Sequence, residues 1–311
     1  MENKKEESKS TFFKIKTISQ LHDVLEYEKP CHPLITVLDL SKVAFTDEVV
    51  HKKVSVPFYN ITLKTKTSNA FKYGRDFFDF TEGALLGVGP DQVIEIDYIS
   101  EKGELEGWSL YFHPDIIRGS GLMEKLTDYG FFGYDTNEAL HISDKEKQTL
   151  NGIVLKIQEE YSANLDEFSQ DVLVSNIELL FNYIKRFYNR QFLTRKSQNT
   201  TVLSQFNGLL KSYFESEDIR LNGLPKVHYF AEKLHLSDSY LSDLLKKETG
   251  KNTQDHIHFY MIEKAKNLLI NTNNSVSEIA FNLGFEYPQY FSRLFKSKTG
   301  QTPVAYRKQL N

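Results

Sequence analysis

Several residue types and segments are scarce in this 311-residue sequence, and each scarcity excludes a class of protein. Cys31 is the single cysteine, so an internal disulfide is excluded, and a lone cysteine near a predicted strand is more often buried than redox-active. No apolar run approaches the roughly 18 residues that a membrane-spanning helix needs. The charged start MENKKEESKS is not followed by the hydrophobic segment of a signal peptide, so we expect a cytoplasmic protein.

The first 200 residues also lack the sequence motifs of common enzyme classes. An open iron site needs closely spaced histidines with a carboxylate, whereas the histidines here stand singly, at His22, His32, His51, His113 and His141. The stretch GALLGVG lacks the lysine and the strand-to-helix setting of a phosphate-binding loop. The Gly-x-Ser-x-Gly elbow of hydrolases does not occur. We therefore expect no metal, no other cofactor and no enzymatic activity.

Charge is unevenly distributed along the chain. The formal net charge of −4 by itself argues against a nucleic-acid partner. From Thr201 onward, however, 14 Lys and Arg stand against 11 Asp and Glu, a balance of about +3, which leaves 24 against 31 for the first 200 residues. The C-terminal part is therefore mildly basic, and its affinity for an anionic polymer would depend on where the cations lie.

Short β segments between turn residues characterise residues 11–140. Examples are LITVLDL, VSVPFYNITLKTKT, FDFTEGALLGVGPDQVIEI and GWSLYFHPDII. Many short strands of this kind predict a barrel or a sandwich, and a jelly roll commonly encloses a ligand cavity. The aromatic residues of this region either fill the core or line an effector pocket; they are Phe58, Tyr59, Phe71, Tyr73, Phe77, Phe78, Phe80, Trp108, Tyr111 and Phe112.

Two amphipathic helices are predicted within residues 141–194. Ser143 and Glu146 form a capping-box pattern at the start of the first helix. The second helix runs from Asp166 to about Thr194 and carries the spacing of a seam between paired helices, at Ile177, Phe181, Ile184 and Tyr188. The polar stretch RKSQNT, which follows, is predicted to be a linker over 195–201.

Two short helices with a glycine-containing turn are predicted from Ser275 onward, in SVSEIAFNLGFEYPQYFSRLFKSKTG. Ser275 and Glu278 form a second capping box, and Gly284 stands where a left-handed cap would end the first helix. Pro288 opens the second helix. The apolar faces of the pair are Val276, Ile279, Ala280 and Leu283, then Phe291, Leu294 and Phe295. This arrangement is typical of a helix-turn-helix, in which Ala280 permits a close crossing and Phe285 fills the turn.

The second helix leaves polar side chains on its free side, namely Gln289, Tyr290, Ser292, Arg293 and Lys296. A helix in the major groove of DNA uses arginine on guanine, glutamine on adenine and lysine on phosphate. For this helix taken alone, a merely solvated amphipathic helix is an equal alternative.

An internal repeat favours the DNA-binding interpretation. The stretch VHYFAEKLHLSDSYLSDLLKKETG, from Val227, aligns with the stretch from Val276 at an offset of 49 residues, which becomes 50 after one inserted residue. The chain thus carries two helix-turn-helix units. Between them, Thr253 to Ile270 reads as one helix, about 27 Å long at 1.5 Å per residue. Such a rod suits two recognition helices about 34 Å apart, one turn of DNA.

Residues 203–309 resemble the DNA-binding domain of the AraC/XylS family of bacterial transcription regulators. The second unit carries most of the resemblance, at Ala280, Gly284, Phe285, Phe291, Ser292, Arg293, Phe295, Lys296, Gly300, Pro303, Tyr306 and Arg307. The first unit departs from the family pattern at Asp243, an acidic residue that repels phosphate, and at Met261 in the connecting helix. Residues 11–140 resemble the cupin-like sensor domain of the same family.

The resemblance implies a multidomain α+β protein with a tail over 1–10, a cupin-like barrel over 11–140, a homodimerising helical hairpin over 141–194 and an all-α DNA-binding domain over 202–311. It implies promoter DNA, RNA polymerase and a small-molecule effector as partners. The DNA-binding residues expected are Ser239, Tyr240, Ser242, Asp243, Lys246, Tyr287, Pro288, Gln289, Tyr290, Ser292, Arg293 and Lys296. A barrel enzyme, an isomerase or oxygenase with a DNA-binding tail, is the alternative function.

Overall fold

The computed structural model describes residues 12–45, 49, 52–67, 71–73, 76–78, 83–96, 102–163 and 166–310. The chain divides into two compact units, Met1–Gln191 and Phe192–Asn311. The predicted tail over 1–10 and His51 lie outside the described residues. Among the helices in the described ranges, none is long and apolar enough to cross a bilayer.

The first unit contains three sheets in its described part. Its strands are β1 (Phe12–Lys14), β2 (Ile35–Asp39), β3 (Lys52–Ser55), β4 (Tyr59–Thr67), β5 (Phe71–Tyr73), β6 (Asp76–Phe78), β7 (Ala84–Val88), β8 (Val93–Ile96), β9 (Leu105–Phe112) and β10 (Leu140–His141). A five-stranded sheet has the order β10-β7-β4-β9-β2, and a three-stranded sheet has the order β1-β3-β8. The third sheet is the hairpin β5-β6.

The central strands of the five-stranded sheet, β4 and β9, are covered on both faces. They pair antiparallel from Tyr59 opposite Phe112 to Thr67 opposite Leu105. Successive side chains of a strand point to opposite faces. Ile61 and Leu63 are fully buried on one face, and Lys64, on the other face, is only 9% exposed. The polar alternation along β4 therefore does not mark a solvent-facing side.

The predicted barrel is not confirmed, whereas the β-rich character of residues 11–140 is. Among the described strands, β2 and β10 remain the edges of the five-stranded sheet, and no ladder joins them to the three-stranded sheet. Turn residues and β-branched residues predict where short strands begin and end. They do not predict closure, because closure depends on pairings between segments that are distant in sequence.

Four α-helices and several short 3₁₀ turns complete the described part of the first unit. The helices are α1 (Ile18–Val24), α2 (Gly121–Lys125), α3 (Asp144–Ser162) and α4 (Ser169–Thr194). The predicted capping box of α3 is confirmed, since the Ser143 amide donates to the Glu146 carboxylate at 2.8 Å. Cys31 is exposed, contrary to the expectation of a buried thiol. It lies outside the strands, in the segment that leads into β2.

The seam predicted along α4 is buried inside its own unit. Ile177, Phe181, Ile184 and Tyr188 are at most 3% exposed. The Phe181 ring packs against the rings of Phe112 and Phe132, at centroid distances of 5.9 and 5.3 Å. The periodicity correctly indicates a buried stripe, but its partner is the aromatic core of the same chain. These four residues are therefore not available as an interface between two chains.

The second unit is helical throughout its described part. Its helices are α5 (Lys196–Glu215), α6 (Asp218–Asn222), α7 (Val227–Leu234), α8 (Asp238–Thr249), α9 (Thr253–Asn271), α10 (Val276–Asn282), α11 (Pro288–Thr299) and α12 (Pro303–Leu310). The core between α5, α7 and α9 contains the fully buried rings of Phe206 and Phe230, 5.1 Å apart.

The stretch predicted as a linker, 195–201, is instead helical from Lys196 onward. Asn199 explains the difference, because it is 2% exposed and its amide donates to the carbonyl of Phe192 and to the carboxylate of Glu248. The ring of Phe192 packs against Tyr240 in α8, with centroids 5.1 Å apart. The stretch 195–201 has no apolar positions and therefore resembles a linker. The sequence does not reveal that a polar side chain such as Asn199 is buried with its hydrogen bonds satisfied.

Candidate nucleic-acid interface

Two turns that share one backbone hydrogen bond connect α7 to α8 and α10 to α11. In the first turn, the amide of Leu236 donates to the carbonyl of Ala231 at 2.9 Å. In the second, the amide of Phe285 donates to the carbonyl of Ala280 at 3.0 Å. Both pairs of residues stand 49 positions apart in the sequence. The sequence repeat is therefore a structural repeat of two helix-turn-helix units.

Helix α10 begins and ends where its sequence predicts. The Ser275 hydroxyl accepts from the Glu278 amide at 3.2 Å, and the Glu278 carboxylate accepts from the Ser275 amide at 2.6 Å. The second of these hydrogen bonds lowers the pKa of Glu278 below its ordinary value. Gly284 follows the helix with a left-handed φ of 82°. The predicted capping box and glycine cap are both confirmed.

Ala280 is fully buried in α10, which packs directly against α11. Leucine at this position would add three carbons to a filled crossing, so we expect Ala280→Leu to destabilise the second unit by about 1 to 3 kcal/mol and, if α11 binds DNA as its sequence predicts, to remove that binding. Ser277→Leu, at an exposed position of the same helix, is the matched control and should change neither property. Thermal unfolding and DNA titration measure both, and an Ala280→Leu variant with wild-type melting and binding would contradict the assignment.

Helix α11 buries one face and exposes the other. Phe291 and Phe295 are fully buried, with their rings 5.7 Å apart, and Leu294 is partly buried. The opposite side carries the predicted DNA-binding residues of this unit. Tyr287, Gln289, Tyr290, Arg293 and Lys296 are exposed, and Pro288 and Ser292 are partly exposed. All seven are therefore brought to the N-terminal part and free side of one helix.

Aromatic rings and a guanidinium group adjoin one another on this surface. The Arg293 guanidinium lies over the ring of Tyr290, 5.7 Å from its centroid. The rings of Tyr290 and Tyr287 meet edge to face at 5.7 Å. Tyr290 is 54% exposed and Tyr287 47% exposed, so the rings hold the guanidinium without burying it. Arg293 thus packs on a ring and stays exposed, and an accessible guanidinium suits bidentate recognition of a base edge.

Helix α8 presents a smaller polar face. Lys246 is exposed, whereas Ser239, Ser242 and Asp243 are only partly exposed. The Ser242 hydroxyl lies 3.1 Å from that of Thr253, at the start of α9. Helix α8 therefore exposes fewer of its predicted DNA-binding side chains than α11 does. This agrees with the departure of the first helix-turn-helix unit from the family pattern at Asp243.

Tyr240 is a predicted DNA-binding residue whose side chain is buried rather than exposed. It is 5% exposed, whereas Tyr290, its equivalent in the second unit, is 54% exposed. Phe192 covers the Tyr240 ring, and no residue of the repeat itself indicates this contact. The side chain of Tyr240 therefore contributes to the core of the second unit.

The structural repeat continues through the ends of α8 and α11 into the helix that follows each of them. Gly250 and Gly300 end α8 and α11 with left-handed φ values of 77° and 78°. The hydroxyls of Thr249 and Thr299 each donate to the carbonyl four residues earlier, at 2.8 Å. Helices α9 and α12 then begin at Thr253 and Pro303, which stand 50 residues apart. Each unit is thus a three-helix repeat, and the threonine-glycine pairs are its sequence signal.

Two side chains outside the predicted site hold the helices of the second unit in place. Lys298 in α11 pairs with Asp255 in α9, with the ammonium nitrogen 3.3 Å from the carboxylate. Arg307 in α12 donates to the carbonyls of Leu269 and Asn274, at 2.9 and 2.7 Å. Lys298 lies on the same helix as the predicted DNA-binding residues. The sequence alone gives no sign that its partner is Asp255 in α9. Because α9 contacts α8, α10 and α12, it connects the two repeats.

These features define a tandem helix-turn-helix domain. Residues 230–309 match a protein-family model described as "Helix-turn-helix domain". This C-terminal segment is a helix-turn-helix domain of the AraC type, the family that its sequence resembles. In the described ranges, no group of three or more His, Cys, Asp or Glu side chains is arranged to hold a metal ion.

Two similar proteins each match about 30% of the chain. The uncharacterized HTH-type transcriptional regulator YobQ of Bacillus subtilis is 36% identical over 84 residues, which are 27% of this chain and 35% of YobQ. The regulatory protein PocR of Salmonella typhimurium is 34% identical over 96 residues, which are 31% of this chain and 30% of PocR. The chain thus spans about a third of the length of these two relatives.

A solved structure also resembles part of this chain. The C-terminal domain of the two-component response regulator yesN from Fusobacterium nucleatum is 32% identical, with a TM-score of 0.31. The similarity covers 34% of this chain and 98% of that domain.

Proposed function

We propose that this protein is a sequence-specific DNA-binding regulator of transcription, in which α8 and α11 of each chain enter successive major grooves. One observation carries the proposal: α11 buries Phe291 and Phe295 completely and leaves Gln289, Arg293 and Lys296 exposed on its other side. The exposed set combines base-reading and phosphate-neutralising groups. A solvated surface helix needs none of this chemistry, and the AraC type of the domain supports the same conclusion.

The connecting helix supports simultaneous engagement of two grooves. Helix α9 has 19 residues, which corresponds to about 28 Å at 1.5 Å per residue. This length approaches the roughly 34 Å between successive major grooves on one side of the duplex. Since α8 has fewer exposed donors than α11, the first unit would mainly position the domain on the phosphates and the second would read the bases.

Salt-dependent binding tests this proposal. The full chain should bind a promoter fragment selected from its own genome more tightly than random DNA of the same length, and both affinities should fall as salt rises. Equal affinity for the two DNAs at every salt concentration would exclude sequence-specific recognition, and no binding at low salt would exclude DNA as a partner.

Arg293 and Lys296 should fail in different ways when replaced by alanine. We expect Arg293→Ala to cost about 1 to 3 kcal/mol on the specific site and to relax base choice, because its guanidinium would contact a base edge. Lys296→Ala should weaken all sequences similarly and reduce the salt slope by about 1, because its ammonium would contact a phosphate. Titrations of each variant with specific and random DNA at several salt concentrations separate the two roles. Equal losses on both DNAs for Arg293→Ala would count against base reading.

The first unit would sense a small effector or join two chains. A cavity of about 100 Å³ between the five-stranded and three-stranded sheets supports the sensing role. A homodimer of this protein would need a surface other than the buried α4 seam. RNA polymerase would be the further partner of a regulator bound at a promoter. Sedimentation of the full chain with and without promoter DNA tests the dimer.

A further inference from the structure

A short segment of the second unit, residues 192–199, lies alongside α8, the predicted recognition helix of the first helix-turn-helix unit. Phe192 is the first residue of the second unit, and Asn199 lies near the start of α5. Both side chains are buried, at 3% and 2% exposed. Each of them contacts α8, and the two contacts fall at opposite ends of that helix.

Phe192 contacts the first turn of α8. Its ring packs against that of Tyr240, the third residue of the helix, with the centroids 5.1 Å apart. The same turn is capped by Ser237, whose hydroxyl accepts from the Tyr240 amide at 3.1 Å. The N-terminal residues of a recognition helix are the ones that reach base edges. The ring contact therefore holds the end of α8 that would enter the groove.

Asn199 contacts the last turn of α8. Its side-chain amide donates to the Glu248 carboxylate at 2.9 Å and to the backbone carbonyl of Phe192 at 2.6 Å. A side-chain amide has two N–H donors, so both hydrogen bonds form at once. The bond to Glu248 has an ionised acceptor and is therefore of the stronger kind. The bond to Phe192 joins the two contacts into one unit.

Two points of attachment fix the direction of a helix, whereas one point fixes only its location. Tyr240 and Glu248 are eight residues apart, which corresponds to about 12 Å along α8 at 1.5 Å per residue. Since α8 has 12 residues, the two attachments span most of its length. In α11, the residue equivalent to Tyr240 is Tyr290, which is 54% exposed and lies against Arg293 instead. The first unit thus uses for anchoring the position that the second unit uses on its surface.

We propose that Phe192 and Asn199 are positioning residues for DNA recognition, which hold the axis of α8 at one angle to α11 and so set the half-site spacing that the domain accepts. Because α8 exposes fewer of its predicted DNA-binding side chains than α11, its contribution depends on where its first turn and Lys246 are placed. The inference rests on the proposed function and deepens it, since it names what determines the spacing of the two halves of the DNA site.

Insertion of one base pair in the middle of the selected promoter site tests the proposal on the full chain. The insertion moves the two half-sites about 3.4 Å apart and rotates one against the other by about 35°. The wild type should lose about tenfold or more in affinity on insertion. Phe192→Ala should bind the original site about fivefold more weakly, since it loses the ring contact. On insertion it should lose less than about threefold, because an α8 that has lost one attachment can follow the displaced half-site.

Asn199→Asp tests the second attachment without removing buried volume. It places a carboxylate against that of Glu248, and because like charges repel, it should lower the insertion penalty in the same way. Adding Glu248→Gln to Asn199→Asp puts an amide donor opposite the new carboxylate and should restore the penalty to within about threefold of the wild-type value. The matched controls are Leu193→Ala and Gln198→Asp, at exposed neighbouring positions, and both should keep the wild-type penalty.

General destabilisation gives a different result from loss of positioning, since it weakens the original and the inserted site by the same factor. Equal losses of this kind, or a wild-type penalty in Phe192→Ala and Asn199→Asp, would overturn the positioning role. Circular dichroism shows whether each variant is folded, and if Phe192→Ala is not, the comparison of Asn199→Asp with its double variant decides. A wild-type chain that selects the promoter but tolerates the insertion would overturn this inference alone. A wild-type chain that does not distinguish promoter from random DNA would overturn the proposed function as well.

Discussion

Gly284→Ala is expected to destabilise the second unit by about 2 to 5 kcal/mol and to abolish the DNA binding that we propose for α11. Two penalties add. Gly284 has a left-handed φ of 82°, which costs an alanine about 1 to 2 kcal/mol. A Cβ there would also lie 2.7 Å from the Ile219 carbonyl oxygen and 2.9 Å from the Gly223 carbonyl carbon. These are backbone atoms and cannot rotate away, so α6 and α10 would have to separate.

Gly300→Ala separates the two penalties. Gly300 has nearly the same φ, 78°, at the end of α11, but a Cβ there has no neighbour within 4 Å. It should therefore cost only the conformational term, about 1 to 2 kcal/mol. Hydrogen exchange of peptides from α10 and α11 in both variants gives the comparison. Similar loss of protection in the two would show that the close approach of Gly284 to Gly223 contributes nothing.

Gly107→Ala should disrupt the first unit, at a cost of about 4 kcal/mol or more. Gly107 has a φ of 123°, and a Cβ would lie 2.0 Å from the carbonyl oxygen of Leu63. The residue belongs to β9, which is paired on both sides, and it is opposite Lys64 where the register with β4 shifts. Neither strand can withdraw without breaking the sheet.

The fluorescence of the single tryptophan measures the destabilisation expected for Gly107→Ala. Trp108 is adjacent to Gly107, is 9% exposed and donates to the Asn151 side chain at 2.8 Å. Its fluorescence therefore reports unfolding of the first unit in denaturant. Gly103→Ala is the control, because Gly103 also has a positive φ, 92°, but a Cβ there meets nothing within 4 Å. A Gly107→Ala transition at the wild-type denaturant concentration would contradict the close contact.

The second helix-turn-helix unit could be predicted from sequence because its signals are local. The Ser275 capping box, the apolar stripe through Ala280 and the cap at Gly284 all lie within ten residues, and each depends on neighbours along the chain. The exposed set on α11 follows from the same periodicity. Whether this set reads bases stays a prediction.

Features that depend on distant contacts could not be predicted. Tyr240 and Tyr290 occupy equivalent positions, and only the contact with Phe192 makes one buried and the other exposed. The apolar spacing on α4 indicates a buried stripe but not which surface covers it. Likewise, the closure of a sheet is a property of edges that meet far apart in the sequence.

For a related reason, the sequence does not predict that the polar side chains of β4 line a cavity. Asn60, Thr62 and Lys64 alternate with Ile61 and Leu63, and such alternation ordinarily indicates one solvated face. In the structure both faces of β4 are covered, so the polar face lines a cavity. The length of β4 and its central place in the sheet are the facts that change the interpretation, and neither is visible in the sequence.

The contact between Phe192 and Tyr240 determines where a stable C-terminal fragment of this protein must begin. A fragment starting at residue 202 would lack Phe192 and Asn199, which would uncover the Tyr240 ring and leave the Glu248 carboxylate without its amide donor. Such a fragment would tend to aggregate through the uncovered ring. A fragment that begins at residue 192 keeps both side chains, so it is the suitable fragment for studying the tandem repeat in isolation.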